Sequence, residues 1–191
     1  MKRLIAGLLV VVGLGACTPN NPPVQILPEL SYVHLEPLML DVAVIDVIDK
    51  SKATTEGKNV AYRFPTSPEK AIRNWVNDRL VAAGTSGSAQ VTILEATAIE
   101  TELEKKTGVT GLFTNDQSER YTTAANVRID VYDQNGNNVA YSAAQTNRNT
   151  SLAEDASLLD REKAWFDLVE KMMLDFNSAM ETNIKNHLPL K

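Results

Sequence analysis

Tyr121-Thr-Thr-Ala-Ala-Asn-Val-Arg-Ile-Asp-Val-Tyr132 is the stretch on which the fold turns. Tyr121, Thr123, Ala125, Val127, Ile129 and Val131 alternate with Asn126, Arg128 and Asp130, and Arg120 extends the polar set. A period of two predicts a strand with one face in a core and the other in water. Upstream, Gln90 to Leu103 begins strand-like at Val91 and Ile93. Its Glu-, Ala- and Leu-rich second half has helical propensity, but Thr97, Ile99 and Thr101 keep the period of two, so the whole stretch reads as a strand partner. Downstream, Asp133-Gln-Asn-Gly136 is a hairpin signal, because Asn-Gly accepts positive φ at low cost. Val139, Tyr141 and Ala143 then resume the alternation.

Two amphipathic helices flank these strands. In Thr66-Ser-Pro-Glu69, Thr66 or Ser67 can cap, Pro68 suits a first turn, and Glu69 stands at capping-box spacing from Thr66. Ile72, Trp75, Val76 and Leu80 make one apolar stripe, and Gly84 offers a left-handed stop. Trp75 on that stripe reads as core rather than as a stacking platform. Capping patterns recur at Ser151-Leu-Ala-Glu154 and Ser157-Leu-Leu-Asp160. Beyond them Trp165, Val169, Met172, Phe176, Met180, Ile184 and Leu188 step by three or four, widened by Leu168, Met173 and Ala179. The methionines read as gap-filling core.

Leu38 to Asp49 is dense in branched residues. Leu38, Leu40, Val42, Val44 and Ile48 share one face, and Met39, Ala43, Ile45 and Val47 fill most of the other, which predicts a strand buried on both sides or central in its sheet. Lys50 to Pro65 reads as a long polar connection. The predicted fold is α+β, a two-layer α/β sandwich of order β-α-β-β-β-α, with a mainly antiparallel sheet and two helices on one face.

The amino terminus states an address. Met1-Lys2-Arg3 is positive, Leu4 to Leu14 carries no charge, and Gly15-Ala16 supplies small residues before a cut, so residues 1–16 read as a signal peptide. The apolar run falls well short of the roughly 20 residues that span a bilayer. Leu14-Gly15-Ala16-Cys17 resembles the lipobox of bacterial lipoproteins. The resemblance implies that Cys17 carries a diacylglycerol, with palmitate-type acylation of the new amino group. It also implies that Thr18, standing where an inner-membrane protein of that class tends to have Asp, directs the chain to the outer membrane, facing the periplasm. Cys17 is the one cysteine, so no internal disulfide can form. Residues 17–30, rich in Pro and Asn, read as the lipidated cysteine and a tether, and 31–191 as one periplasmic domain.

The 191 residues are 43% hydrophobic, enough for a packed core, and carry a net charge of -5, more negative by two once Lys2 and Arg3 leave with the signal. That balance opposes binding to nucleic acid. Chemistry is sparse. His34 and His187 lie near opposite ends of the chain and fit no metal spacing. Asp41, Asp46 and Asp49 match no cation-loop motif, and Gly57-Lys58 lacks the rest of a phosphate loop. Glu100 and Glu102 share a strand face and read as solvated. The sequence therefore points to no catalytic residue, no metal and no cofactor. Thr107 to Asp116 is the exception to an otherwise plain surface: Val109, Leu112 and Phe113 are apolar where a turn should be polar. Two uses are open, an exposed contact with a partner or with lipid, and a fold back onto the chain's own core.

Taken with Cys17, the Trp75 helix, the Val127-Arg-Ile-Asp-Val131 strand and the terminal helix, the order of elements resembles the ABC-type transport auxiliary lipoproteins and the lipoprotein of lipopolysaccharide assembly. Tyr32 only echoes the tyrosine-containing start of the former, and the polar loop after the first strand departs from them. The resemblance carries no catalytic motif, and with the lipobox and the apolar 107–116 segment the expectation is a non-enzymatic, lipid-anchored adaptor in envelope transport or outer-membrane assembly, holding an envelope membrane protein by its sheet edge and by Val109, Leu112 and Phe113. The oligomeric state is not readable from the sequence. A cell-wall enzyme activator or glycan-binding module is one alternative, and a lipid-binding carrier with an apolar cavity between helix and sheet is another.

Overall fold

A computed structural model describes residues 27–51, 57–103 and 117–191. In chain order its elements are β1 (Leu38–Leu40), β2 (Val44–Asp49), β3 (Lys58–Asn59), a 3₁₀ turn (Ala61–Arg63), α1 (Pro68–Arg79), β4 (Leu80–Ala82), β5 (Ser88–Glu102), β6 (Gln117–Tyr132), β7 (Asn138–Ala153) and α2 (Leu158–His187). The main sheet has the order β2-β5-β6-β7, with β3 also paired to β5. β5, β6 and β7 are antiparallel, while β2 joins β5 in parallel. Both helices pack on the same face, α1 over β5 and β6 and α2 over β7 and β6. This is the expected two-layer α+β sandwich. β1 and β4 form a small parallel pair, which the Leu190 segment extends beside Leu40.

The β6 alternation is realised in full, since Tyr121, Thr123, Ala125, Val127, Ile129 and Val131 are all buried. Against them lies the α2 stripe from Trp165 to Ile184, also buried, with Leu188 just past its end. Trp75 meets Phe176 edge-on at 5.1 Å, and its indole N–H donates to Asn177 Oδ1 at 2.8 Å, joining α1 to α2. Ser67 caps α1 and Ser157 caps α2 in a capping box with Asp160.

Several expectations are corrected. Leu38 to Asp49 is two strands in two sheets, broken where Val42 N–H turns back to the Leu40 carbonyl. Leu38, Leu40 and Val42 are buried, but β2 lies at the edge of the main sheet and leaves Val44 and Ile48 exposed. An apolar run signals burial without telling on how many sides. In the stretch read as a plain connection, β3 and the 3₁₀ turn place Val60 and Phe64 in the core. Gly84 is not a left-handed stop. α1 passes directly into β4, and Gly84 is small because the backbone of Asp41 and Val42 lies within 2.6 Å of where a Cβ would stand. Finally, β7 runs on to Ala153, so Ser151 is a strand residue. Its inward side chains are Ala140, Ser142 and Ala144, paired to Val131, Ile129 and Val127, while Val139 and Tyr141 face water. The turn at Gly136 (φ 81°) and a register shift at Val131/Tyr132 set that phase.

Two substitutions on α2 separate core from surface. Phe176→Ala should lower unfolding free energy by about 3–5 kcal/mol, and Leu174→Ala, at a residue 63% exposed, by less than about 0.5 kcal/mol. Urea denaturation of both variants checks this.

Candidate interaction surface

The expected contact residues Val109, Leu112 and Phe113, and the lipidation residue Cys17, lie outside the described residues. His34 is at an exposed turn, and His187 closes the last turn of α2, its Nδ1 2.8 Å from the Asn183 carbonyl. Asp41 pairs with Lys191, whereas Asp49 accepts from Ser51 and pairs with Arg73. Among the described residues no group of three His, Cys, Asp or Glu is placed to hold a metal ion.

One charged cluster does form, and sequence reading missed it. β5 carries a bulge between Ile93 and Glu95, and the extra residue reverses the phase of the strand. Ala89, Val91 and Ile93 face the helices before it. After it Ala96, Ala98 and Glu100 do, opposite Ala125, Thr123 and Tyr121, and Thr97, Ile99 and Thr101 turn to the helix-free face. Glu100 is therefore not a solvated strand-end acid. It accepts from Arg63 Nη1 at 2.6 Å, pairs with Lys58 at 3.5 Å, and its side chain is only 12% exposed. The Tyr121 hydroxyl donates to Glu119 at 2.7 Å, with Glu100 at 3.2 Å, and Arg161 of α2 closes the cluster on Glu119. Beneath it Trp165 stacks on Phe64 at 5.1 Å, meets Tyr121 at 5.3 Å, and has the Arg63 guanidinium over its ring.

Burial raises the Tyr121 phenol pKa, and its bond to Glu119 and the Glu100 charge raise it further. Burial also raises Glu119, but the bonds from Tyr121 and Arg161 and the Arg161 charge outweigh it, so Glu119 lies below the ordinary glutamate value. Two carboxylates, each held by an arginine, around a phenol kept protonated are suited to sealing the end of the core. The Trp165 indole N–H beneath them is buried without a hydrogen-bond partner among the described residues. Only the bulge, a tertiary feature, brings these residues together.

The outer edge of the sheet at β7 is a longer unpaired surface than the edge at β2 among the described residues. Among the described residues β7 pairs with β6 alone, over sixteen residues that contain no Pro, no Gly and a single charge, Arg148. That charge is spent on Asp175 of α2, at 2.5 and 3.0 Å. Natural edge strands are usually guarded by charges, prolines or bulges. Here the ladder with β6 is continuous from Leu152 to Ala140, and Asn147, Arg148 and Asn149 are all exposed. The residues that extend the strand, Gln145 to Ser151, are polar throughout, so no apolar alternation marked them beyond Val139, Tyr141 and Ala143.

No family model matches the sequence, and no curated protein matches it. Among solved structures the chain is similar to a minor lipoprotein from Acinetobacter baumannii, at 11% identity and a TM-score of 0.40, over 78% of this chain and 98% of that one. It is also similar to the rare lipoprotein B from Shewanella oneidensis, at 10% identity and a TM-score of 0.37, over 75% and 95% of the two chains. Likenesses of this size leave the functional reading to this chain's own residues.

Carboxylates held by arginines in three places, Glu119 by Arg161, Asp130 by Arg128 and Asp175 by Arg148, make stability depend on pH. Glu119, Asp130 and Asp175 titrate below their ordinary values in the folded chain, so their contributions are complete above about pH 4.5 and are lost as pH falls through the folded values. Melting temperature should drop steadily on acidification from pH 5 to pH 2. Glu119→Gln should melt lower than the parent at pH 7, with the gap closing toward pH 2.

Proposed function

We propose that this chain is a bacterial envelope lipoprotein, anchored through Cys17 in the outer membrane and facing the periplasm, and that it works as a non-catalytic adaptor in envelope transport or assembly. Its contacts with an envelope membrane protein run along β7 and through Val109, Leu112 and Phe113. The observation that carries the reading is the β7 edge beyond Ala143, whose carbonyl Asn183 of α2 takes: among the described residues no second strand pairs with it, and an unpaired ladder offers another chain main-chain hydrogen bonds with no catalytic residue required. The Leu14-Gly-Ala-Cys17 lipobox supports the anchor. Two or three acyl chains hold such a body stably, at about 0.8 kcal/mol for each buried methylene. A carrier would need an apolar cavity between the layers, whereas Trp75, Met172, Phe176 and Met180 fill that interface.

In cells fed labelled palmitate, the wild-type chain should take up label and Cys17→Ser should not. Crosslinking in intact cells followed by purification and mass spectrometry should recover one membrane-protein complex with the wild type, with yield falling severalfold in Cys17→Ser and in Leu112→Ala/Phe113→Ala. Recovery of cell-wall enzymes or sacculus fragments alone would replace the adaptor with the cell-wall reading, and unchanged capture by the double variant would remove residues 107–116 from it.

A further inference from the structure

At the opposite margin of the sheet from β7, the outer edge of β5 has a gap. β2 pairs with it as far as Ile93, where the Lys50 N–H donates to the Ile93 carbonyl at 2.9 Å. β3 takes up the pairing only at Ile99, with the Val60 N–H on the Ala98 carbonyl at 2.8 Å. Backbone groups on one edge of a strand recur at every second residue, so Ala96, two before Ala98, turns its N–H and C=O to that same side. No strand among the described residues meets them there. The bulge between Ile93 and Glu95 lies inside this gap, and ending a ladder beside a functional site is a recurrent use of bulges.

A cleft of about 370 Å³ opens at this gap, lined by Ala96 and Thr97 of β5, Asn59 of β3, Tyr62 of the 3₁₀ turn and the start of α1 at Ser67 and Glu69. Asn59 Oδ1 accepts from the Ala61 N–H at 3.1 Å, and Ser67 Oγ accepts from the Lys70 N–H at 3.2 Å. The Asn59 amide N–H groups and the Ser67 O–H are left with no acceptor among the described residues. Glu69, the one charged residue of the lining, is held by Arg73 at 2.8 Å, and no Lys or Arg lines the cleft. Tyr62 is 80% exposed although Val60 and Phe64 on either side of it are buried. The cleft therefore combines one unpaired backbone amide unit, neutral side-chain donors and an aromatic ring that the core does not use.

These features select the occupant. An added strand does not fit, because β2 and β3 bound the gap on both sides and leave room beside Ala96 for a single amide. An anion finds no cation in the lining, and an apolar group would leave the Ala96 N–H and C=O unmade. We infer that the cleft binds a 2-acetamido sugar. The acetamido C=O and N–H complement the Ala96 N–H and C=O, the ring hydroxyls accept from Asn59 and Ser67, and the C–H face of the pyranose stacks on Tyr62. This site is independent of the β7 contact and adds a glycan to what the chain holds.

The test titrates the full chain carrying Cys17→Ser with tri-N-acetylchitotriose and, as the matched control, with cellotriose, which has hydroxyls in place of the acetamido groups. Amide NMR signals of Ala96 and of the Asn59 side chain should shift saturably with the first sugar, and the second should bind at least about tenfold more weakly. Tyr62→Ala should lose at least about tenfold in affinity with its melting temperature near that of the parent, and Tyr62→Phe, which keeps the ring, should bind as the parent does. Co-sedimentation with isolated sacculi and, separately, with phosphatidylethanolamine–lipid A vesicles then tells which glycan supplies the sugar, and in either arm Tyr62→Ala should stay in the supernatant. Unmoved Ala96 and Asn59 signals would overturn the inference, as would equal binding of cellotriose or retention in neither arm. In-cell capture of a membrane protein that survives Tyr62→Ala keeps the adaptor reading separate from the outcome.

Discussion

The thirty residues of α2 make a rod of about 45 Å, and the sixteen of β6 and of β7 make ribbons of about 53 Å. The burial of that one helix along those two strands is the interaction on which the remaining structure depends. It sets the length of the strands, since a shorter sheet would leave the Trp165 to Ile184 stripe in water. It also sets the character of β7. With Phe176, Met172 and Met180 filling the layer from the helix side, the strand beneath contributes small groups, Ala140, Ser142 and Ala144, and Ser142 Oγ lies 3.6 Å from the Met180 sulfur. α1 then fits beside α2 over β5, joined by Trp75 and by Arg79. That arginine is almost wholly buried and bonds both the Glu36 carbonyl and the Glu181 carboxylate, at 2.5 Å each.

The two ends of this layer are closed by different means. At the Tyr132–Asn138 turn, the β1–β4 pair and the chain's last residues cover the core with backbone hydrogen bonds, Asp41 to Pro189 and Lys191 to Met39. At the other end the helix layer gives way to charge. Glu100, Glu119, Arg63 and Arg161 gather around Tyr121 over the Trp165 ring. A cluster of paired charges with little solvent adds less to stability than its close contacts suggest, because desolvation offsets much of the attraction. It ties the ends of β5 and β6 to the 3₁₀ turn through Arg63 and to α2 through Arg161.

Among the described residues the main sheet ends in β2 on one side and in β7 on the other. β2 is short and apolar at Val44 and Ile48, whereas β7 is long, neutral and regular. The charged cluster spends its carboxylates and guanidinium groups on one another, whereas β7 has one partner strand among the described residues. On the helix-free face, Arg128 bonds Asp130 at 2.7 to 3.0 Å and lies 4.1 Å over the Tyr141 ring, an arrangement that again satisfies itself.

Local periodicity determined much of this protein. The period-two run at Tyr121–Val131, the Asn-Gly turn, the Ser157 cap and the three- and four-residue steps of α2 each report a one-sided environment, and one-sidedness is written in the order of residues. The Leu14 to Cys17 motif is a local signal as well. Tertiary structure alone decided how many neighbours a strand has and in which phase it meets them. That is why the apolar Leu38–Asp49 run became two strands with β2 at an edge, why Val139 and Tyr141 turned outward, and why Glu100 was carried by the β5 bulge onto the helix face. Which side of a strand is buried can be read from its own residues. Whether a second strand lies beside it, and whether one inserted residue reverses its faces, depends on backbone hydrogen bonds to distant segments, and these bonds do not depend on side-chain identity.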